Sequence, residues 1–123
     1  MKIKTVLWGL ATAALLVSCS GAKLSVANEQ YARGEFYDEA QTYRKVYRKT
    51  NPRKERKLRG EIAFKKAECY SRINMAPRSS AAYQNAIRYD YPDSMALFYL
   101  ARSQQYEGKY KEAIKNYQAY LET

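Results

Sequence analysis

The chain has 123 residues and a formal net charge of +10, with 22 Lys or Arg against 12 Asp or Glu. It contains no His, which excludes His-based acid–base catalysis, Ser-His-Asp triads and His metal sites. Two cysteines are too few for a zinc cluster, and neither a GxGxxG nor a GxxxxGKS/T loop occurs. We therefore expect a protein that is not an enzyme and that holds no metal or cofactor.

The first residues have the composition of an export signal. Lys2 and Lys4 precede an apolar run, residues 6–17, that is too short to span a hydrocarbon core of about 30 Å. Small residues then lead to Cys19. We expect residues 1–18 to be a cleaved signal peptide, and export from the cytoplasm argues against a nucleic acid partner.

The segment Leu16-Val17-Ser18-Cys19 resembles the bacterial lipobox, in which Leu, a small or branched residue, and Gly, Ala or Ser precede Cys. The resemblance implies a lipid anchor on Cys19, which several acyl chains make permanent in practice, since each buried methylene contributes about 0.8 kcal/mol. Residues 19–23 are then the lipidated cysteine and its tether. Ser20 stands where inner-membrane lipoproteins often carry Asp, so the expected location is the periplasmic face of the outer membrane. The alternative is an ordinary signal peptide with an incidental cysteine.

Helical periodicity runs through the rest of the chain. Apolar or small residues recur at spacings of three and four in residues 37–47, 58–70 and 110–121. No stretch alternates with a period of two. Sparse turn residues separate the helical stretches; they are Gly34, Asn51-Pro52, Met75-Ala76-Pro77, Tyr91-Pro92 and Gly108. These patterns predict an all-α fold.

A shift of 34 residues pairs similar residues, for example Phe64 with Phe98 and Ala67 with Ala101. The period and its small and aromatic positions resemble the tetratricopeptide repeat (TPR), a helical hairpin that stacks on its neighbours. The best copy covers about residues 94–123, where the matching residues are Leu97, Leu100-Ala101, Gly108, Tyr110, Ala113 and Tyr117. Two weaker copies cover about 24–51 and 60–92, and in the first of them Ala40 lies one place late.

The resemblance implies a right-handed stack of about three TPR helical hairpins over residues 24–123. An irregular helical bundle is the alternative. Most of the 13 tyrosines are then expected to pack between helices, with their hydroxyls reaching water. The tyrosines at repeat packing positions are Tyr43, Tyr70, Tyr83, Tyr110 and Tyr117. Cys69 lies in an apolar helix stripe and is expected to be a buried, inert thiol.

In the TPR fold the first helix of each hairpin faces a concave groove. The resemblance therefore implies a partner-binding groove that combines aromatic anchors with charged side chains. Its expected lining residues are Asn28, Tyr31, Phe64, Glu68, Arg72, Phe98, Arg102 and Gln105.

The excess charge is concentrated in one segment. Residues 44–66 hold 11 Lys or Arg against 2 Asp or Glu, a net charge of +9. We define the basic patch as Arg44, Lys45, Arg48, Lys49, Arg53, Lys54, Arg56, Lys57 and Arg59. It is either a solvated face or a docking patch for an acidic protein, lipid phosphates or an anionic glycan.

The lipobox, short tether and repeats together also resemble the N-terminal region of OmpA-family lipoproteins of the PorE type, which serve type IX secretion. The resemblance implies a non-enzymatic periplasmic scaffold that assembles or anchors an envelope complex with other envelope proteins. The peptidoglycan-binding domain of those lipoproteins has no counterpart in these residues. The alternative is a binding subunit for an anionic glycan, peptidoglycan or a small ligand, which would use the basic segment 44–66.

Overall fold

A computed structural model describes residues 23–29 and 34–123. These residues form helices and no strand: α1 (residues 23–29), α2 (Phe36–Lys49), α3 (Arg56–Arg72), α4 (Ala76–Arg88), α5 (Met95–Tyr106) and α6 (Tyr110–Leu121). The predicted all-α class is confirmed for this part of the chain. The predicted signal peptide, Cys19 and Tyr31 lie outside the described residues. No helix within the described ranges is both long and apolar enough to cross a membrane.

The corners that follow α3 and α5 have the same backbone geometry, 34 residues apart. Asn74 and Gly108 both adopt positive φ, 58° and 80°. The N–H of Met75 donates to the carbonyl of Tyr70 at 2.9 Å, and the equivalent bond recurs 34 residues later. Such bonds satisfy the last carbonyls of a helix when the chain turns through the left-handed region, which Gly and Asn tolerate best. The corner without a glycine therefore turns in the same way as the corner that has one.

Among the residues that the structure describes, two hydrophobic clusters form the core, and α3 contributes to both. The first joins α1, α2 and α3 through Ala27, Ala40, Tyr43, Ile62, Cys69 and Tyr70. The second joins α3, α4 and α5 through Ala63, Phe64, Ala67, Ala82, Tyr83, Ala86, Ala96 and Leu100. Alanines allow the helices to approach closely, and aromatic rings fill the remaining space. From α2 onward each helix packs mainly on its neighbours in the chain, so the helices form a linear array.

The predicted core tyrosines divide into two groups. Tyr43, Tyr70 and Tyr83 are fully buried, as expected. Tyr110 is 64 % exposed, so its predicted core position is wrong, and Tyr117 is half-buried. Within the described residues α6 packs extensively only on α5, and this leaves the outer face of α6 in solvent.

The first turns of α2, α4 and α6 align at Glu39, Ser79 and Ala113. The N–H of each donates to the carbonyl four residues earlier, at 3.1, 2.9 and 3.0 Å respectively. Glu39 therefore occupies the position in α2 at which α4 and α6 carry a small side chain, and Ala40 follows it. Both are 0 % exposed. A carboxyl group thus lies buried where the other two hairpins carry a hydroxymethyl or a methyl group.

Candidate functional site

A groove of about 350 Å³ lies between α3 and α5. It is lined by Glu68, Ser71 and Arg72 of α3, Tyr83 of α4, and Tyr99 and Arg102 of α5. Tyr83 is almost fully buried and forms the floor. Of the eight residues predicted to line a groove, Glu68, Arg72 and Arg102 are brought together here.

Aromatic rings support the two guanidinium groups of the groove. The Arg102 guanidinium carbon lies 5.1 Å from the centre of the Tyr99 ring, and that of Arg72 lies 5.2 Å from the centre of the Phe36 ring. Tyr99 in turn packs on Tyr83, with 5.7 Å between ring centres. Because each cation rests on a ring, its charge is held in place on the groove wall.

The floor of the groove is a neutral phenol. Burial, and after it the charge of Glu68, raises the pKa of the Tyr83 hydroxyl above its ordinary value, and Arg102 opposes this rise. The hydroxyl therefore keeps its proton at neutral pH and can donate a hydrogen bond. The groove thus combines cationic walls and one carboxylate with an aromatic floor.

The two phenylalanines that were predicted to line the groove pack elsewhere. Phe64 is 7 % exposed and stacks on Tyr91 with 4.2 Å between ring centres, so its ring belongs to the core. Phe98 is half-buried between α5 and α6, with its ring centre 5.5 Å from Tyr117 and 5.6 Å from Tyr120. Both rings hold helices together instead of forming the groove surface.

The predicted polar residues Asn28 and Gln105 are exposed and accept hydrogen bonds between helices. The Tyr43 hydroxyl donates to Asn28 Oδ1 at 2.7 Å, and Lys65 Nζ donates to the same oxygen at 3.1 Å. The Tyr117 hydroxyl donates to Gln105 Oε1 at 2.9 Å. These two residues therefore help to keep neighbouring helices in register.

Tyr99 and Ser71 line the groove although the sequence reasoning did not include them. Tyr99 follows Phe98 directly, and successive residues of an α-helix are rotated by about 100°, so the two rings point in different directions. No signal in the sequence separates the two rings, because Phe98 and Tyr99 lie four and three residues before Arg102, and either spacing puts a ring on the same face as that arginine. Ser71 also borders a second, smaller hollow of about 230 Å³ that reaches Tyr106.

The basic patch is almost entirely exposed, and Arg59 is its one half-buried member. Arg59 Nη1 donates to the carbonyl of Tyr47 at 3.0 Å, and to the carbonyl and hydroxyl oxygens of Thr50 at 3.2 and 2.9 Å. Its guanidinium carbon also lies 3.9 Å from the centre of the Tyr47 ring. Arg59 thus satisfies the carbonyls at the end of α2 and is a structural residue of the patch.

Arg56 joins the patch to the corner between α4 and α5. Its Nε donates to Asp90 Oδ2 at 3.0 Å, and its Nη2 donates to the carbonyl of Arg88 at 2.7 Å. Both side chains of the Arg56–Asp90 ion pair are exposed, so the pair contributes little to stability. The contacts of Arg56 nevertheless show that the basic patch and the corner between α4 and α5 lie at the same end of the array.

The positive charges of the patch perturb one another. The neighbouring Lys23 lowers the pKa of Lys49, and Lys45 acts in the same direction. Burial lowers the pKa of Lys66, and the nearby Arg44 and Arg48 lower it further. These shifts indicate a strongly positive local potential.

A carboxyl and a thiol lie together in the core between α2 and α3. Within residues 23–29 and 34–123, neither carboxyl oxygen of Glu39 has a hydrogen-bond partner. Burial raises the pKa of Glu39 from 4.5 to about 7, while the adjacent Cys69 and Tyr43 side chains, although outside hydrogen-bond geometry, oppose the rise. Burial, and after it Glu39, raises the pKa of the Cys69 thiol. Cys69 is fully buried, as predicted.

No group of three His, Cys, Asp or Glu side chains in the described part of the chain could hold a metal ion. In comparisons with known proteins, no family model matches the chain, and no curated protein matches it at a significant level. Over the residues that the structure describes, the protein is an all-α array with a groove between α3 and α5 and a strongly basic end.

Proposed function

We propose that this chain is a non-enzymatic protein-binding scaffold. In this proposal it is a right-handed TPR-like stack, held by a lipid on Cys19 at the periplasmic face of the outer membrane. There it assembles or anchors a complex of envelope proteins, and the resemblance to PorE-type lipoproteins points to type IX secretion as its setting. The groove between α3 and α5 binds a segment of the partner protein.

The regularity of the hairpins supports the TPR-like stack. The left-handed corners at Asn74 and Gly108 lie one repeat length apart. Ala67 and Ala101, which the repeat alignment pairs, are both 0 % exposed. Corners of the same hand and buried alanines, one repeat apart, are what stacked copies of one hairpin require.

The groove composition is the observation that carries the protein-binding function. The half-buried ring of Tyr99, above the buried Tyr83, offers apolar area to a partner side chain. Charges of both signs come from Arg72, Arg102 and Glu68. Aromatic rings and arginine are the side chains that supply most of the binding energy at protein interfaces. Fixed charges of both signs select the register of the bound segment.

The test begins with a tagged, lipidated protein in its native cells, where cross-linking and mass spectrometry identify the bound proteins. Binding of the identified partner is then compared for the wild type, Arg102→Ala and Arg88→Ala. Arg88 is exposed and lies outside the groove, so its variant removes the same charge without changing the groove.

We expect Arg102→Ala to accelerate dissociation about tenfold, because loss of an interface arginine costs on the order of 1–2 kcal/mol. Arg88→Ala should dissociate like the wild type. If Arg102→Ala and Tyr99→Ala both bind the partner with wild-type kinetics, the groove is not the binding site. If no protein is cross-linked reproducibly, the scaffold function itself is wrong.

A further inference from the structure

We propose that the basic patch rests on the phosphate groups of phospholipids in the leaflet that holds the lipid of Cys19. That contact would turn toward the membrane the end of the array at which α2 ends and α3 begins. The inference rests on the lipidation of Cys19 in the proposed function, and it adds a second membrane contact and a fixed orientation.

The position of α1 brings the patch close to the anchor. Lys23 begins the described part of α1, and its positive charge is near enough to Lys49, at the end of α2, to lower the pKa of Lys49. Leu24 packs in the same cluster as Leu58, near the start of α3. Only four residue steps separate Cys19 from Lys23, and extended chain covers at most about 3.6 Å per residue, or about 14 Å in all. The patch therefore cannot move far from the lipid surface.

The same end of the array includes the corner between α4 and α5. Arg56 bonds to both Asp90 and the Arg88 carbonyl, as described above. Tyr89 at this corner lies beneath two guanidinium groups, with its ring centre 5.3 Å from the Arg56 and 5.0 Å from the Arg59 guanidinium carbon. These contacts join the corner and the patch into one packed surface.

The chemistry of the patch suits phosphate. Eight of its nine members are exposed. Guanidinium groups pair with phosphate oxygens in two-point contacts, and lysines bind phosphate as point charges. Glu55 is the single acidic residue between Arg44 and Arg59, and its Oε1 already accepts the N–H of Asn51 at 2.9 Å. Asp90 of the adjoining corner is paired with Arg56, so the surface keeps a large excess of positive charge. Anionic headgroups attract such segments within a Debye length of about 10 Å.

The test uses purified, lipidated protein reconstituted into vesicles that contain nitroxide-labelled headgroups. One set of vesicles consists of phosphatidylethanolamine and phosphatidylglycerol, and the other of phosphatidylcholine alone. A fluorophore is attached to a single cysteine introduced by Pro52→Cys, next to the patch, or by Lys109→Cys, at the opposite end of the array. Both positions are exposed, whereas Cys69 is fully buried.

In the anionic vesicles we expect headgroup quenching of the fluorophore at position 52 to exceed that at position 109 by about threefold or more. Salt at about 0.5 M should remove most of this difference, because it shortens the Debye length. In phosphatidylcholine the difference should be smaller.

Two charge-reversal variants provide the matched comparison. The first reverses two exposed lysines of the patch: Lys54→Glu and Lys57→Glu. The second reverses the two exposed lysines of α6, Lys111→Glu and Lys115→Glu, and so changes the net charge by the same amount. The first should sharply reduce the difference in quenching and the second should preserve it, while thermal melting of both by circular dichroism controls for folding.

Equal quenching at the two positions in anionic vesicles, or quenching that patch reversal leaves unchanged, would overturn the inference. If the patch binds a soluble acidic polysaccharide or polyglutamate while position 52 is not preferentially quenched in anionic vesicles, the partner is a glycan or an acidic protein and the inference is also overturned. The intact mass separates the two proposals. A protein without lipid on Cys19 overturns the anchor and this inference together, whereas a lipidated protein with equal quenching overturns this inference alone.

Discussion

The buried carboxyl of Glu39 should make the protein less stable above neutral pH than below it. Its folded-state pKa is about 7, against an ordinary value of 4.5. Between these values the folded protein holds a proton that the unfolded chain releases, so the unfolding free energy falls as pH rises. The stabilising contribution is complete below about pH 4.5 and is lost as the pH passes through about 7. The difference between the two pKa values corresponds to about 3 kcal/mol.

Glu39→Gln removes this charge and keeps the shape of the side chain. We expect the variant to be more stable than the wild type near pH 8, by up to about 3 kcal/mol, and to match it near pH 5 within about 1 kcal/mol. Urea denaturation followed by circular dichroism measures both values. Glu112→Gln, at an exposed position of α6, is the matched control and should behave like the wild type at both pH values. If Glu39→Gln destabilises the protein equally at both pH values, the carboxyl is ionised and paired in the folded state, and the reasoning is wrong.

Two further predictions follow from the core. Ala101→Trp should lower the unfolding free energy by about 1–3 kcal/mol or more, because Ala101 is 0 % exposed and has no room for a larger side chain. Urea denaturation checks this against Ala81→Trp, at an exposed position, and equal stability of the two variants would contradict the packing. The Cys69 thiol should resist alkylation in the folded protein, since it is 0 % exposed and burial raises its pKa. Its labelling, followed by mass spectrometry, should increase in step with urea unfolding, and rapid labelling in native buffer would contradict this.

The sequence predicts the features of the fold that depend on local pattern. Apolar residues recur at spacings of three and four and nowhere alternate with polar ones, and this is enough to predict the all-α class. The structure confirms that class within the described residues. The buried alanines at 67 and 101 and the corner at Gly108 follow from the repeat alignment. Close helix contacts admit only small side chains, and Gly adopts positive φ without strain.

The features that depend on tertiary context could not be predicted in the same way. Tyr110 occupies a packing position of the repeat, but a packing position is buried only if another helix covers it. Phe98 and Tyr99 are adjacent aromatic residues, and which of them faces the groove depends on a helix rotation of about 100°. Glu39 could not be predicted to be buried, because carboxyl groups are almost never fully buried without a partner. The hydrogen bonds of the first turn put Glu39 of α2 at the position that Ser79 occupies in α4 and Ala113 in α6.

Because α3 contributes residues to both core clusters, it should be the last helix of the described array to unfold locally. Because the two faces of α3 pack on different partners, neither α1–α2 nor α4–α5 can separate without exposing part of this helix. α6, in which only Ala113 is fully buried, can detach at much lower cost. Amide hydrogens should therefore exchange with solvent most slowly in α3 and most quickly in α6. Local opening would then begin at α6, while the α3 wall of the groove would persist until the whole array unfolds.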